Sequence, residues 1–276
     1  MATGAATRRP AVAGMFYPAD PDALRRQVRQ LIDRAPKKSL EGTVRGIVSP
    51  HAGYIYSGPT AATGYAMLKG HRFDTVVVVS PSHREYFGAI SVYSGDAYQT
   101  PLGTIGIDKK LRDDLVGASA LIIADEAGHR EEHAIEVQLP FLQEVLGQFK
   151  LLPIVMGDQK REFCLGLAAA LAKVIGQQRV LLVASSDLSH YHSSRVADAI
   201  DMVTIEDVRK FDYKQLMADL ESRKAEACGG GPTVAVMAAL RSIGVTKIDV
   251  VHHCNSGDMT GDTRNVVGYL SAVAWS

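Results

Sequence analysis

Four apolar runs along the chain each end in polar residues that can carry chemistry. The run Val44–Val48 leads into PHAGYIYSG, and the other three runs are TVVVVSPSH, VLLVASSDLSH and IDVVHHCNS. In open α/β sheets, ligands and catalytic groups gather at the carboxyl ends of the strands. The pattern therefore predicts one active-site rim that several strands build together. The residues at these four ends are His51, His83, Asp187 with His190, and the group His252, His253 and Cys254.

Between these runs the chain alternates strand-like and helix-like patterns. An amphipathic helix is expected from about Asp22, and another near Pro59, a residue favoured at the first helical position. Four consecutive valines within Asp74–Val79 indicate a strand covered on both faces, while hairpin-like pieces such as YQTPLGTIGID indicate antiparallel additions. We therefore predict an α/β fold, with a disordered lead over residues 1–9. A single domain follows over residues 10–276, with a mixed central β-sheet flanked by helices.

Composition narrows the class of protein. The chain has 276 residues, of which 46% are hydrophobic, and its acidic and basic residues cancel to a formal net charge of zero. Because it has no basic cluster, it lacks the electrostatic footprint of a nucleic-acid or anionic-membrane binder. Three widely spaced cysteines form no disulfide framework, and no apolar run suits a signal peptide or a membrane span. These features predict a soluble cytoplasmic protein.

The segment AGHREEHAIEVQLPFLQEVLG contains H-x-x-E-H from His129 to His133, which matches the inverted zincin motif as a pattern. That mechanism requires both histidines on one face of an established helix. Gly128 sits just before the motif, so the motif straddles an expected helix start and its acidic residues resemble first-turn residues. A zinc protease is therefore disfavoured. His133 and Glu136, one turn apart, are still expected to face the site and contact a substrate.

The candidate metal site combines His51, His83, His190 and Cys228, with Asp187 as a companion. Imidazole suits iron, copper and zinc, and a thiolate biases a site toward softer metals. Cys228 lies just before a glycine-rich helix start, where the helix N-terminus favours a thiolate. His190 follows Asp187 at a spacing that lets the carboxylate orient the imidazole. None of the spacings is a local metal motif, so the alternative is a set of unrelated surface or hydrogen-bonded histidines.

At these residues the chain resembles a known family. The segments RRPAVAGMFYPAD, PHAGYIYSG, SPSH, EEHAIEVQLPFL, SSDLSHY and ACGGGP look like the Memo family. That family includes the bacterial and archaeal proteins called AmmeMemoRadiSam system protein B. The segments stand in the expected order and span nearly the whole chain. The resemblance implies a fold similar to that of the class III extradiol ring-cleaving dioxygenases, which use non-haem Fe(II).

Carried over by motif, the resemblance implies three metal ligands: His51 from PHAGY, His83 from SPSH and Cys228 from ACGGGP. Asp187 and His190 from DLSH would line the same pocket, and His190 matches the acid/base histidine of the dioxygenases. The third ligand of the dioxygenases is a carboxylate, whereas a cysteine stands in that role here. A thiolate makes the iron softer and is itself oxidisable, so ring cleavage does not simply transfer to this chain.

A second part of the resemblance concerns the pocket wall. Tyr54 and the aromatic segment around Phe16 resemble the wall that animal members of the family use to bind phosphotyrosine peptide. Both are therefore expected to contact a substrate. The tryptophan that is usual in that segment is absent here, which puts peptide binding in doubt.

Together, the residues and the resemblance predict a mononuclear redox metal protein with Fe(II) as the leading cofactor and copper or zinc as alternatives. Its expected activity is oxygen-dependent oxidation of a small molecule or protein group, in partnership with the radical SAM protein that the family name suggests. The rival prediction is a module that captures a peptide or an anion without turnover. A zinc hydrolase is third. A binding module keeps its affinity when metal is stripped, whereas an enzyme loses its turnover.

Overall fold

The structure, a computed structural model, describes residues 6–36, 40–176 and 178–276. Within these residues the strands are β1 (Thr7–Arg8), β2 (Val44–Ser49), β3 (Thr75–Pro81), β4 (Ile90–Tyr93), β5 (Ala97–Thr100), β6 (Gly103–Gly106), β7 (Ile122–Asp125), β8 (Lys150–Met156), β9 (Val180–Ser185), β10 (His190–His192), β11 (Lys247–Asn255) and β12 (Val266–Trp275). The helices are α1 (Pro21–Arg34), α2 (Tyr54–Ala66), α3 (Lys109–Val116), α4 (Leu139–Leu146), α5 (Arg161–Ile175), α6 (Ser194–Arg209), α7 (Tyr213–Glu221), α8 (Gly230–Ser242) and α9 (Ser256–Thr260), and a 3-10 turn (Glu136–Gln138) precedes α4.

Most of these strands form one mixed sheet. Its order is β11–β12–β2–β9–β3–β8–β4–β7, and β10 pairs with the first residues of β12. Strands β2, β9, β3 and β8 run parallel, whereas β12 is antiparallel to β2 and β4 is antiparallel to β8. Strands β1, β5 and β6 form a separate small sheet. The predicted mixed sheet is confirmed, and the carboxyl ends of β2, β9 and β3 lie side by side at one edge.

Helices cover both faces of the sheet because its central strands are apolar on both faces. Val77 and Val79 of β3 belong to the core that contains residues of α5 and α8, while Val76 and Val78 belong to the opposite core with α1, α2 and α4. All four valines are fully buried. The predicted α/β domain with flanking helices is therefore confirmed. In the part of the chain that the structure describes, no helix is both long and apolar enough to cross a membrane.

Local capping explains where the first two long helices begin. In α1, Asp20 accepts a hydrogen bond from the Ala23 N–H at 2.8 Å, and a proline follows the cap. Helix α2 begins at Tyr54, earlier than the predicted start near Pro59, which lies inside the helix. The Tyr54 N–H has no acceptor within its own helix, and it donates to the Phe16 carbonyl oxygen at 2.8 Å. A segment distant in sequence thus supports the earlier start.

The N-terminal part of the chain differs from its prediction. A disordered lead was expected over residues 1–9; residues 1–5 lie outside the described residues, but Thr7–Arg8 forms β1 and pairs with β5 in parallel. Backbone hydrogen bonding to a strand fixes this part of the chain. We refer to residues 6–17 as the N-terminal strap.

The strap is held by a buried ion pair. The guanidinium of Arg8, 5% exposed, pairs with the fully buried carboxylate of Glu136, and Arg8 Nε donates to the His129 carbonyl oxygen at 3.0 Å. Glu136 also accepts the N–H groups of Ala11 and Val12, at 2.8 and 3.0 Å, and the hydroxyl of Tyr17. A buried charge needs such partners. Glu136 therefore anchors the strap along its length.

Candidate metal centre

A pocket of about 850 Å³ lies at the carboxyl ends of β2, β3 and β9. Three of the four strand ends singled out in the sequence supply residues to it, as predicted from the parallel arrangement. Imidazoles, a thiol and a carboxylate meet in its wall. These side chains are His51, His83, His133, His190, Cys228 and Asp187.

Hydrogen bonds fix His51 so that one ring nitrogen is left for a ligand. Its Nδ1 lies 2.9 Å from Ser185 Oγ, and Ser185 donates its own hydroxyl proton to the Ala134 carbonyl oxygen at 2.7 Å. Because that hydroxyl has only one proton, Ser185 accepts from His51, and the His51 proton sits on Nδ1. Nε2 therefore carries a lone pair, and it lies 3.1 Å from Cys228 Sγ. Metal-binding histidines are oriented in this way.

Glu132 orients His83 in the same sense. Its Oε1 lies 3.0 Å from His83 Nδ1, and its Oε2 accepts the His83 backbone N–H at 2.6 Å. Oε1 also accepts the backbone N–H groups of His133 and Ala134, each at 2.9 Å. Burial opposes the charge on Glu132, but the hydrogen bonds from His83 outweigh this effect and lower the pKa of Glu132 to about 2. The carboxylate keeps the proton on Nδ1 and leaves Nε2 of His83 available.

Cys228 reaches the pocket from the loop before α8. Its N–H donates to the Asp187 carbonyl oxygen at 3.2 Å, while Asp187 Oδ1 accepts the His51 backbone N–H at 2.7 Å. The next residue must be glycine, because a Cβ on Gly229 would clash with the Ser185 carbonyl oxygen. Asp187 and Gly229 thus bring the loops that carry the imidazole and the sulfur together.

Burial in the protein favours the uncharged forms of His51, His133 and Cys228. Burial, reinforced by neighbouring imidazoles, lowers the pKa of His51 to about 3 and the pKa of His133 to about 4. Burial and the Asp187 carboxylate raise the pKa of Cys228 well above its ordinary value. Desolvation thus outweighs the helix dipole when no cation is bound, and the predicted thiolate depends on metal coordination to complete the deprotonation.

The donor set fits a single metal ion. The ligand atoms of His51, His83 and Cys228 all lie within 4.8 Å of one another. In the neutral form of each imidazole the lone pair lies on Nε2, where it can bind a metal, and a cation would draw the proton from the thiol. Imidazole with a sulfur ligand suits iron, copper or zinc.

His190 lines the same pocket, but its hydrogen-bond partner differs from the predicted one. Its Nδ1 lies 2.8 Å from the Leu188 carbonyl oxygen, which can only accept, so Nδ1 carries the proton. Nε2 is then free to accept a proton. The predicted orientation by Asp187 is wrong, because Asp187 uses its carboxylate on the His51 backbone. Asp187 is buried, and that burial raises its pKa.

Two of the four residues predicted to contact a substrate line the pocket. Phe16 packs against His133 with ring centroids 4.8 Å apart, and both are part of the wall. Tyr54 is only 3% exposed and donates its hydroxyl to the Val137 carbonyl oxygen at 2.6 Å, so it belongs to the core. Glu136 is fully buried and holds the strap. Both predicted substrate contacts are therefore buried away from the pocket wall in this structure.

The H-x-x-E-H segment does not form a zincin site. Its residues precede the first helical turn, which begins at Glu136, so its histidines do not share a helix face. His129 is fully buried, and its Nδ1 lies 2.6 Å from the hydroxyl of Tyr98. His83, Glu132 and His133 do form a close group, but the hydrogen bonds described above already occupy both oxygens of Glu132.

The fourth strand end of the sequence pattern does not supply a ligand to the pocket. His252 and Cys254 lie within β11 and both contact Thr60, through Nδ1 at 2.9 Å and Sγ at 3.1 Å respectively. β11 extends to Asn255, further than expected, and its polar end packs beside α2. These residues therefore belong to the packing of the strand.

Three residues that position the centre were missed in the sequence. Ser185 and Glu132 set the tautomers of the two histidines, and Gln138 donates to Ser185 Oγ at 2.7 Å and to the Pro50 carbonyl oxygen at 3.0 Å. Ser185 ends an apolar strand, which is a usable signal. Glu132 and Gln138 lie in EEHAIEVQ, where their polar character resembles that of ordinary helix-start residues.

Known proteins are similar in sequence to this chain over almost its whole length. The sequence profile of the Memo-like proteins matches residues 8–273. The chain belongs to the Memo family. A MEMO1 family protein of Methanosarcina barkeri is 39% identical over 269 residues, which cover 96% of this chain and 99% of that protein. A MEMO1 family protein of Sulfolobus acidocaldarius is 39% identical over 279 residues, with 96% and 98% covered. The resemblance predicted from the motifs is confirmed.

A solved structure shares the fold of this Memo family chain. It is an uncharacterized protein from Escherichia coli K12, with a TM-score of 0.58 and 13% sequence identity. The match covers 84% of this chain and 99% of that one. At this identity the likeness concerns the fold alone.

Proposed function

We propose that this Memo family chain is a non-haem metal redox protein. It holds one iron ion through His51, His83 and Cys228, and it carries out an oxygen-dependent oxidation of a small molecule or a protein group. Copper and zinc are the alternatives that metal analysis distinguishes. The single observation that carries the proposal is the 3.1 Å approach of His51 Nε2 to Cys228 Sγ, with His83 in the same cluster.

The orientation of the ligands supports a metal rather than a chance grouping. Ser185 and Glu132 each occupy Nδ1 of one histidine, which leaves two Nε2 lone pairs for the same centre. Such hydrogen-bonded partners behind metal-binding histidines fix the ring and raise its basicity. When bound, iron supplies one-electron chemistry with oxygen and substrate at positions the protein leaves open.

The remaining pocket residues accept a proton, form the wall and hold a ligand-bearing loop in place. In the neutral ring of His190 the proton lies on Nδ1, so Nε2 is the atom that accepts a proton from a bound substrate. Phe16 and Met15 of the strap form part of the pocket wall. Asp187 keeps the loop of His51 in place through its backbone N–H.

The rival, a module that binds a peptide or an anion without turnover, is less well supported. In the described part of the chain, no lysine or arginine lines the pocket, so an anion has no cationic side chain to pair with. The ring of Tyr54 is buried, so it is not exposed to contact a bound peptide.

The test begins with protein purified without air and analysed for its metal. Oxygen consumption is then screened with small reductants and phenols, on the iron-loaded chain and on the chain after chelation. The proposal predicts oxygen uptake that depends on the metal and on substrate. A chain that binds its ligand equally well with and without metal, and consumes no oxygen, supports the binding module instead.

A further inference from the structure

A second pocket, of about 700 Å³, adjoins the pocket at the strand ends. Its lining includes Cys228 and His190, and among the described residues these are the two that both pockets share. The rest of its wall comes from the loop after β8, from α7 with the loop that follows it, and from the start of α8. We name it the sulfur-side pocket. A molecule in it lies next to two residues of the candidate metal centre without entering the pocket at the strand ends.

Hydrogen bonds within the protein hold the walls of the sulfur-side pocket. Gln159, in the loop after β8, donates through Nε2 to the Cys228 carbonyl oxygen at 2.8 Å. Its Oε1 accepts the Gly231 N–H at 2.8 Å. On the opposite wall, the Ala225 N–H donates to the Asp219 carbonyl oxygen at 3.1 Å and closes the loop after α7. The pocket is therefore formed by the protein itself, as small-molecule sites usually are.

One part of the sulfur-side pocket is apolar. Leu188, Met217 and Ala225 line it and are at most 4% exposed, while Leu220 and Ala227 are half-buried. Hydrocarbon gains free energy when it moves from water onto such a surface. The apolar residues therefore suit a ligand with an aliphatic body.

The charged lining residues give the pocket one uncompensated positive charge. Arg223 is exposed, and among the described residues no carboxylate pairs with it. The other charged lining residues all have a partner: Lys160 with Asp158 at 2.6 Å, Glu221 with Arg161 at 2.5 Å, and Glu226 with His192 at 2.9 Å. Arg223 is thus the group at the rim that is left to pair with a negative charge on a ligand.

The same charges limit how negative that ligand can be. A guanidinium binds both carboxylates and phosphates. However, the carboxylates of Asp158, Glu221 and Glu226 line the same pocket, and they repel a second negative charge. One arginine beside three carboxylates therefore favours a singly charged carboxylate over a doubly charged phosphate.

We propose that the sulfur-side pocket binds a small aliphatic monocarboxylate, whose carboxylate pairs with Arg223 and whose hydrocarbon body packs on the apolar residues beside Cys228. This second site goes beyond the proposed function, because protein groups alone form it and no bound metal is needed.

The experiment uses hexanoate as the probe, with 1-hexanol as its neutral counterpart and hexylamine as its cationic counterpart. Dissociation constants are measured by ligand-observed NMR for the full chain, Arg223→Gln and Arg223→Glu. Arg72→Gln is the matched control, because Arg72 is an exposed arginine that precedes β3, at the opposite edge of the sheet. Melting temperature and metal content are recorded for each protein.

The parent chain should bind hexanoate more tightly than either counterpart. Arg223→Gln should bind hexanoate about 3- to 5-fold more weakly, which is the effect of losing one exposed ion pair. Arg223→Glu should bind it about 10-fold more weakly, because attraction is replaced by repulsion. Both variants should melt like the parent, since Arg223 has no recorded partner to lose, and Arg72→Gln should bind hexanoate like the parent.

A second measurement places the ligand beside the sulfur. The metal-free chain is treated with iodoacetamide, and mass spectrometry follows the labelling of each cysteine. Saturating hexanoate should prevent most of the labelling of Cys228 in the parent chain but not in Arg223→Glu. Labelling of Cys254, which contacts Thr60 and does not line the sulfur-side pocket, should be the same with and without hexanoate.

The proposal is overturned if hexanoate binds no more tightly than hexylamine, if Arg223→Glu binds it like the parent, or if hexanoate leaves the labelling of Cys228 unchanged. These outcomes are independent of the proposed function. A chain that binds hexanoate through Arg223 but takes up no iron supports the sulfur-side pocket and contradicts only the metal centre.

Discussion

Replacing Glu132 by glutamine should weaken metal binding while leaving the fold intact. The Glu132 carboxylate is 2% exposed. Its Oε1 accepts a hydrogen bond from His83 Nδ1 at 3.0 Å, and its Oε2 accepts one from the His83 backbone N–H at 2.6 Å. A glutamine has one accepting oxygen and presents an N–H₂ group on its other side. Whichever way the amide turns, one of the two His83 donors loses its acceptor or faces another donor.

The size of the effect follows from the role of this carboxylate behind a metal ligand. Removing such a partner typically lowers metal affinity about 10- to 100-fold, equivalent to about 1.4–2.7 kcal/mol. The backbone N–H groups of His133 and Ala134 keep their bonds to Oε1 if the amide oxygen occupies that side. The stability of Glu132→Gln should therefore fall less than that of Glu132→Ala, in which all these donors lose their acceptor at about 1–3 kcal/mol each.

The assay is a competition titration of Co(II) or Zn(II) against a chelator of known affinity. The absorption spectrum of the Co(II)-loaded protein reports whether His83 still coordinates. Glu131→Gln is the matched control, because Glu131 is the adjacent, exposed glutamate and should leave the affinity unchanged. A Glu132→Gln protein that is folded and binds metal within about twofold of the parent would refute the role given to this carboxylate.

Three further changes test other parts of the structure. Glu136→Gln breaks the buried ion pair with Arg8 and should lower the free energy of unfolding, measured by urea titration, by about 3–5 kcal/mol. The strap should also become sensitive to proteases. An unchanged urea midpoint would contradict the role of Glu136 in holding the strap. Burial and Asp219 raise the pKa of Asp207 in the folded protein to about 6. The neutral carboxyl therefore makes its full contribution to the stability of the fold below the ordinary pKa near 4, and this contribution is lost as the pH rises through 6. Asp207→Asn should then raise the melting temperature by about 2–4 °C at pH 8 and not at pH 4, and equal shifts would contradict the raised pKa. His190→Ala should keep its metal but lose oxygen-dependent activity, and turnover at the parent rate would remove the proton-accepting role.

The sequence predicted the sheet and the position of two histidines of the candidate metal site because both depend on local patterns. Apolar runs such as Asp74–Val79 indicate buried strands whatever surrounds them, and the strand-end rule then places His51 and His83 together. The motifs that resemble the Memo family added Cys228, whose spacing alone carries little information. What could be predicted was therefore the set of strand-end residues, rather than the contacts between them.

The errors arise where a distant segment decides the local structure. The sequence predicted that Glu136 faces the site. Its carboxylate instead pairs in the core with Arg8, which lies more than a hundred residues away in the sequence. The start of α2 moved to Tyr54 because the strap supplies an acceptor for its N–H. The helix N-terminus indicated a favourable place for a Cys228 thiolate, but no pattern in the sequence indicated that burial and Asp187 oppose that charge until a metal binds. Such long-range contacts leave no periodic signal.

The most direct test of the metal centre is the iron content of the chain after reconstitution without air, measured per protein for the parent, His51→Ala, Cys228→Ala and Cys254→Ala. Cys254 is the matched control, because its sulfur contacts Thr60 outside the pocket. The proposed function predicts one iron per chain in the parent and in Cys254→Ala, and loss of most of the iron in the other two variants while their circular dichroism stays native. Full iron content in a folded Cys228→Ala and a folded His51→Ala would contradict the metal centre.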